Sequence, residues 1–127
     1  RAFRGGGGES KPMVLQAQVA YASTDTEALD EAHDQWRFSA LHGGQLAELV
    51  TPAQFDAAAR DVPREAVAHR IRVSADPRRH VRWIEEDLAL GFDAVYVHQV
   101  GRSQEEFIEM CGKELLPHFA SERAGRA

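Results

Sequence analysis

The chain has 127 residues, and 15 Lys and Arg against 20 Asp and Glu give it a net charge near −5 at pH 7. This length predicts one domain with a core that needs no disulfides, and the acidic balance argues against a nucleic-acid-binding module. The sequence has no apolar run long enough to cross a membrane and no apolar stretch typical of a secretory signal, so we expect a soluble, cytoplasmic protein. A single cysteine, Cys111, excludes an intramolecular disulfide and fits a reducing compartment.

The first segment of the chain is rich in glycine. Residues 1–4 run into four consecutive glycines at positions 5–8, a pattern typical of a helix end followed by a glycine stop. A phosphate-binding loop is disfavoured because no strand precedes the glycines and no matching motif follows them. We therefore expect residues 1–12 to be a helix end and linker, residues 13–119 to form the folded part, and residues 120–127 to be a frayed tail. This start also suggests a piece of a longer protein.

Strands and helices alternate along the rest of the chain. Strands are predicted near 13–21, 70–75 and 93–99, and the last is nearly continuous in apolar and β-branched residues. Helix starts are expected at the capping residues Thr24, Thr51, Asp76 and Ser103. Pro117 is expected to end the last helix near Leu116. This order predicts an α/β fold with right-handed crossovers and about three parallel strands, which would leave two sheet edges open.

The helix that starts near Asp76 is predicted to be amphipathic. Val81, Ile84 and Leu88 recur at helical spacing and are expected to form its buried stripe. His80 and His118 are both expected to lie on the surface.

No strong catalytic motif is present in the sequence. The patterns G-x-S-x-G, H-E-x-x-H and C-x-x-C are missing, and the six histidines lack metal-ligand spacing. His33 is interpreted as a half-buried helix residue beside Trp36. Cys111 lies on the apolar stripe of the last helix, and the absence of a neighbouring base favours a structural thiol over a nucleophile.

Two residues are candidates for binding a substrate anion. His98 lies at the C-terminal end of the most convincing strand, the end that faces the active site in open α/β sheets and in barrels. Arg70 precedes a strand, and a guanidinium suits bidentate contacts to phosphate or carboxylate. The alternatives are that His98 packs inside the sheet and that Arg70 forms a surface ion pair. Weaker candidates for lining a cleft are Gln16, Gln18, Gln99 and Gly101.

Five segments follow one another along the chain: KPMVLQAQVAY, DTEALDEAHDQWRFSAL, TPAQFDAAARDVP, HRIRVSADPRRHVRWI and GFDAVYVHQVGRSQEEFIE. In their order and spacing they resemble the C-terminal part of luciferase-like oxidoreductases. Within that superfamily the chain is most similar to the branch that contains the deazaflavin-dependent sugar-phosphate dehydrogenases. The S-A-D-P segment and the G-F-D-A-V-Y-V-H-Q-V-G segment are the most telling.

The resemblance implies a (β/α)₈ barrel that binds the deazaflavin coenzyme F-420 or FMN and transfers hydride to or from a small organic substrate. This chain would supply only the C-terminal segment of that TIM barrel, because a full barrel needs about 250 residues. In the family the catalytic histidine and glutamate and most of the cofactor pocket come from the N-terminal half. No residue of this chain is therefore expected to be catalytic, and the chain alone is not expected to bind the cofactor.

The resemblance gives conflicting indications about the substrate. Sugar-phosphate members use an arginine that opens the second-last strand to help hold the substrate phosphate, and Arg70 matches it in place and type. Those members also carry a lysine just before the turn that matches Thr51-Pro52, whereas the matching stretch Leu46-Ala47 has none. The sequence therefore does not predict which substrate is bound.

Three hypotheses follow for the chain. The leading one is a fragment of a flavin-type oxidoreductase whose partner is a small-molecule substrate, with no nucleic acid, membrane or metal ion involved. The alternative is a non-catalytic small α/β protein that acts through self-association or a partner chain, and the third is a truncated product without activity. A three-strand segment leaves apolar sheet surface open, so we expect a homo-oligomer.

Overall fold

Strands and helices alternate in the computed structural model, which describes residues 2–124 and the side chains up to residue 120. Its strands are β1 (Val14–Ala20), β2 (Arg72–Val73) and β3 (Ala94–Gln99). Its α-helices are α1 (Asp25–Trp36), α2 (Gly43–Glu48), α3 (Pro52–Ala58), α4 (Arg64–Ala68), α5 (Pro77–Ala89), α6 (Gln104–Met110) and α7 (Leu116–Ala124). A 3₁₀ turn (Arg37–Ala40) follows α1, and π-helical turns occupy Arg4–Gly8 and Cys111–Leu115. No helix within residues 2–124 is long and apolar enough to span a membrane.

The three strands form one parallel sheet in the order β2-β1-β3. The predicted α/β fold with three parallel strands is therefore confirmed. Consecutive strands of a (β/α)₈ barrel are neighbours, which would place β2 between the other two. Here β1 lies in the centre, so β2 and β3 are not neighbours as three consecutive strands of a barrel would be, and the described residues form an open sheet.

Helices pack on both faces of this sheet. Because side chains alternate along a strand, Gln16, Gln18, Tyr96 and His98 share one face, which we call face A, and Val19 lies on the opposite face B. Near the carboxyl ends of the strands, α1 and α4 cover face A in a cluster that contains Ala20, Ala28, Ala32, Val67 and Val100. On face B, the helices after β2 and β3 bury Val19, Phe107, Met110 and Leu115.

Three of the four predicted helix caps form. The side chains of Thr24, Thr51 and Asp76 each accept a hydrogen bond from a backbone N–H in the first turn of their helix. The capping box predicted at Ser103 is wrong, because this side chain makes no cap bond and its Oγ donates to Glu31 Oε1 at 2.8 Å. A carboxylate from another helix has replaced the local partner.

The last helix does not end near Leu116 as predicted. It continues through the turn at Cys111–Leu115 into α7, so residues 120–124 of the expected tail are helical, and residues 125–127 lie outside the described residues. Pro117 has no N–H for the regular α-helical ladder, and the wider turn just before it, in which the N–H of Leu116 bonds the carbonyl of Cys111, accommodates the missing bond. At the other end of the chain, the helical turn closes at Gly8, with Gly7 at φ +94°.

Candidate functional site

The carboxyl ends of β1 and β3 are tied together by one amide. Gln99 is 5% exposed; its Nε2 donates to the carbonyl of Tyr21 at 2.7 Å, and its Oε1 accepts from the N–H of Tyr21 at 3.0 Å. The structure thus places Gln99 as a bridge between strands, in a buried position instead of along an open cleft.

At the same edge of the sheet, a carboxylate accepts hydrogen bonds from backbone N–H groups. Glu31, on α1, accepts from the N–H of Arg102 at 2.7 Å, from the N–H of Ser103 at 2.9 Å and from the Ser103 hydroxyl. Gly101 makes room for it, because a Cβ at that position would lie 2.5 Å from Glu31 Oε2. Gly101 is therefore a close-approach position. The sequence carried no signal for Glu31, since a glutamate within a helix is ordinarily solvated.

His98 lies on face A, half-buried, beside the two strand glutamines. Its ring packs edge-on against Trp36 with 5.1 Å between ring centroids, and Gln16 Nε2 lies 3.4 Å from His98 Nδ1. Gln18 is the register partner of His98 on β1. These amide and imidazole groups can donate or accept hydrogen bonds across an uncovered part of face A, where Tyr96 is 67% exposed.

Arg70 lies in a different place, in a cleft of about 470 Å³ along the β2 edge. Arg72, Arg79 and Trp83 line the same cleft, which we call the arginine cleft. Arg72 is held by Asp87 through two hydrogen bonds of 2.5 and 2.8 Å, and this bonding raises the pKa of the guanidinium. Arg79 stacks over Trp83 at 5.3 Å from the ring centroid.

Arg70 itself is exposed, and among residues 2–120 its side chain makes no hydrogen bond or ion pair. In a chain with a net charge of −5, this cleft therefore presents one guanidinium that is unpaired among residues 2–120, beside that of Arg79, which stacks on the Trp83 ring. Such an arrangement suits an oxyanion, because both guanidinium groups keep donors available.

The structure does not bring Arg70 and His98 together. The arginine cleft opens on the α5 side of β2, whereas His98 points from face A of β3, and β1 lies between the two strands. This geometry excludes a single anion that contacts both residues. A binding role for either residue alone stays a prediction.

The described side chains can form only one wall of a binding site for a flavin-type cofactor. Gln16, Gln18 and His98 offer polar groups that can face the edge of a flat ring system, but Gln16 and Tyr96 are exposed, so this surface is open on its outer side. A second wall is needed to enclose a ring. Within residues 2–124, no cluster of three or more His, Cys, Asp or Glu is arranged to hold a metal ion.

Sequence reasoning placed His80 on the surface, which is wrong. Its side chain is 1% exposed, its Nε2 bonds the carbonyl of Ser74 at 2.8 Å, and its ring packs edge-on against Tyr21 and Trp83. Burial lowers the pKa of His80 from its ordinary value. The buried stripe of α5 thus carries polar groups, because Asp87 is buried as well, whereas Leu88 is 36% exposed.

Cys111 is half-buried and lines an apolar cavity of about 620 Å³ between α5, β3 and the last helices. Burial raises the pKa of its thiol, which favours the unreactive protonated form.

The chain is similar to known enzymes over most of its length, although no family model matches it. It is 32% identical over 106 residues to the F420-dependent glucose-6-phosphate dehydrogenase of Microbacterium testaceum, and equally so to that of Nakamurella multipartita. It is 30% identical to the F420-dependent glucose-6-phosphate dehydrogenase 2 of Rhodococcus jostii. Each match covers 84% of this chain but 31% of the relative, so the chain spans about a third of the length of the relatives it matches. These matches confirm the resemblance to deazaflavin-dependent sugar-phosphate dehydrogenases.

Proposed function

We propose that this chain is the C-terminal part of a deazaflavin-dependent oxidoreductase that transfers hydride between its cofactor and a small organic substrate. The observation that carries the proposal is the similarity to F420-dependent glucose-6-phosphate dehydrogenases over 84% of the chain. The parallel α/β arrangement of the strands supports it. The similarity favours deazaflavin over FMN, which the sequence had left open.

In this proposal the bound deazaflavin supplies the hydride chemistry, and the protein positions the reactants. Gln16, Gln18 and His98 form one polar wall, and a second wall comes from the rest of the longer protein. The arginine cleft lies apart from this wall, on the α5 side of β2, and is proposed as a separate site for an acidic group of a ligand, with Arg70 as the main contact because its guanidinium is free of partners among residues 2–120. The ligand class that suits this cleft is an organic phosphate or carboxylate.

A chimera tests the proposal. The matching third of the Microbacterium testaceum dehydrogenase is replaced by this chain, and deazaflavin binding is measured by fluorescence titration. We expect a folded chimera that binds deazaflavin and oxidises or reduces an anionic substrate. A folded chimera without deazaflavin binding contradicts the proposal. The isolated chain should show no turnover, because residues matching the family's catalytic pair are missing from it.

The role of Arg70 is tested within an active chimera. Removal of one charge-assisted contact of about 1.5–3 kcal/mol should raise KM for an anionic substrate by roughly 10- to 100-fold in an Arg70→Ala variant, with cofactor affinity nearly unchanged. Arg60→Ala is the matched control, because Arg60 is also exposed but lies outside the cleft. An equal loss of cofactor affinity would assign Arg70 to the cofactor or to the fold instead.

A second candidate function is self-association without catalysis. The open sheet favours it: Val14 and Tyr96 are 47% and 67% exposed on face A, and both outer strands have a free edge within the described residues. A chain that folds alone and forms a defined oligomer, with no deazaflavin binding in the chimera, would support this candidate over the first.

A further inference from the structure

The arginine cleft runs along the outer edge of β2. Residues 68–73 form one side of it, and Arg79 and Trp83 of α5 form the other. Within the described part of the chain, no Asp or Glu lines this cleft. Residues 68–70 and Arg79 are exposed, so the cleft is open to solvent. An open cleft beside a strand suits an extended ligand better than a small molecule that must be enclosed.

The strand itself offers one backbone donor and one acceptor to this cleft. The N–H of Ser74 donates to the carbonyl of Ala20 in β1 at 3.1 Å. Successive residues of a strand direct their N–H and C=O groups to opposite sides, so those of Val73 point away from β1. No strand pairs with this side of β2 among the described residues. The two groups of Val73 are therefore available to an added strand.

Two guanidinium groups in the cleft are also available. Arg70 and Arg79 are exposed and form no ion pair among residues 2–120, whereas Arg72 is already held by Asp87. Their positive charge disfavours pairing with a basic strand or with the same edge of a second copy, because like charges would meet. An acidic strand would instead satisfy both groups.

We propose that the arginine cleft binds an extended acidic segment of a partner protein, which adds a strand to the edge of β2. The backbone of this segment pairs with Val73, and its carboxylates face Arg70 and Arg79 on the α5 side. Because side chains alternate along a strand, the acidic residues occupy every second position. The residues between them lie on the other face, beside Val73, which packs against the apolar cluster of face A. This inference rests on the acidic-ligand role proposed above for the cleft.

The test is an NMR titration of the full chain with the peptide Ac-TEVET-NH₂, which carries glutamates at alternate positions. We expect saturable shifts of the Arg70, Val73 and Arg79 amide signals and slower hydrogen exchange at the N–H of Val73. Arg79→Ala should raise the Kd about threefold to fivefold, the effect of losing one exposed charge pair. Arg60→Ala is the matched control and should leave the Kd unchanged, because Arg60 is exposed, has no ion pair among residues 2–120 and lies outside the cleft.

Two further peptides separate charge from strand pairing. Ac-TKVKT-NH₂ reverses the charge, and Ac-TEVET-NH₂ with its three inner amides N-methylated keeps the charge but lacks the backbone donors. Both should bind more weakly than the original peptide by about threefold or more, and equal binding of either overturns the proposal. Inorganic phosphate is the last probe. Phosphate binding that Arg70→Ala abolishes, without any peptide binding, overturns the partner segment but supports a small acidic ligand in the cleft.

If neither phosphate nor peptide binds, the acidic-ligand role of the cleft is overturned together with the partner segment. Deazaflavin binding by the chimera is measured separately, so this result leaves the proposed hydride transfer untouched.

Discussion

Protonation of His80 should weaken the fold as the pH falls. The carbonyl of Ser74 can only accept, so Nε2 carries the hydrogen of the neutral ring, and Nδ1 is buried with no hydrogen-bond partner among the described residues. A proton on Nδ1 would place a charge and an unpaired donor in this interior. Nearby Asp76 and Asp25 favour the charged form and Arg79 opposes it, but burial is the largest influence and lowers the pKa of His80.

The sign of the effect follows from proton binding in the two states. With the pKa lowered in the folded chain, the unfolded chain takes up the proton first as the pH falls below about 6.5. The contribution of His80 to the free energy of unfolding is therefore full above this pH and is lost as the pH falls towards the folded-state pKa. The slope is at most about 1.4 kcal/mol per pH unit, so at most about 2 kcal/mol is lost between pH 7 and pH 5.

The assay is urea unfolding of the unaltered chain and of His80→Gln at several pH values from 7 to 5. The variant should be less stable at pH 7, because the glutamine loses the ring contacts to Tyr21 and Trp83. Its free energy of unfolding should nevertheless fall less steeply with decreasing pH. His69→Gln, at an exposed histidine, is the control and should keep the original slope. A His80→Gln variant with the same slope as the unaltered chain would refute the reasoning.

Two further predictions concern carboxylates that accept hydrogen bonds from distant parts of the chain. Asp87→Asn should reduce the free energy of unfolding by about 1–3 kcal/mol, because it weakens an ion pair in which Asp87 is 5% exposed and Arg72 is 32% exposed and partly screened. Urea unfolding at pH 7 measures this change. Unchanged stability would mean that the ion pair contributes nothing. Glu31→Ala should lower the free energy of unfolding by about 2 kcal/mol and speed hydrogen exchange at the Ser103 amide, because it leaves the donors of the turn after β3 without an acceptor. If the Ser103 amide exchanges as slowly in the variant as in the unaltered chain, this role of Glu31 is contradicted.

Local signals were enough to predict most elements of the fold. The first and last strands were predicted from apolar residues and the second from its alternating pattern. The caps at Thr24, Thr51 and Asp76 form because both partners of each cap lie within one helical turn. The cap at Ser103 failed because a stronger acceptor, the Glu31 carboxylate, reaches it from 72 residues away. Patterns within a short window cannot reveal a partner at that distance.

The same limit explains why His80 was misplaced on the surface. His80 is buried against a partner outside its own helix, the carbonyl of Ser74, and Asp87 on the same helix is likewise buried against the guanidinium of Arg72. Burial of a polar side chain is acceptable only when such a partner exists, and the sequence does not show that it does. The grouping of Arg70 with Arg79 and Trp83 was missed for the same reason, because it depends on how α5 packs beside β2.

The strand order is the feature that most separates this sheet from a barrel segment, and it yields a prediction. β1 is seven residues long, has no charged side chain and is covered on both faces near its carboxyl end, so it can pair along both edges. β2 has two residues, including Arg72, and too short a ladder to sit between two longer strands. Backbone proton contacts in NMR spectra should therefore join Ala17 of β1 to the region of Val97 in β3. Contacts between β2 and β3 would show instead that β2 is central, as in a barrel, and would refute this account of the order.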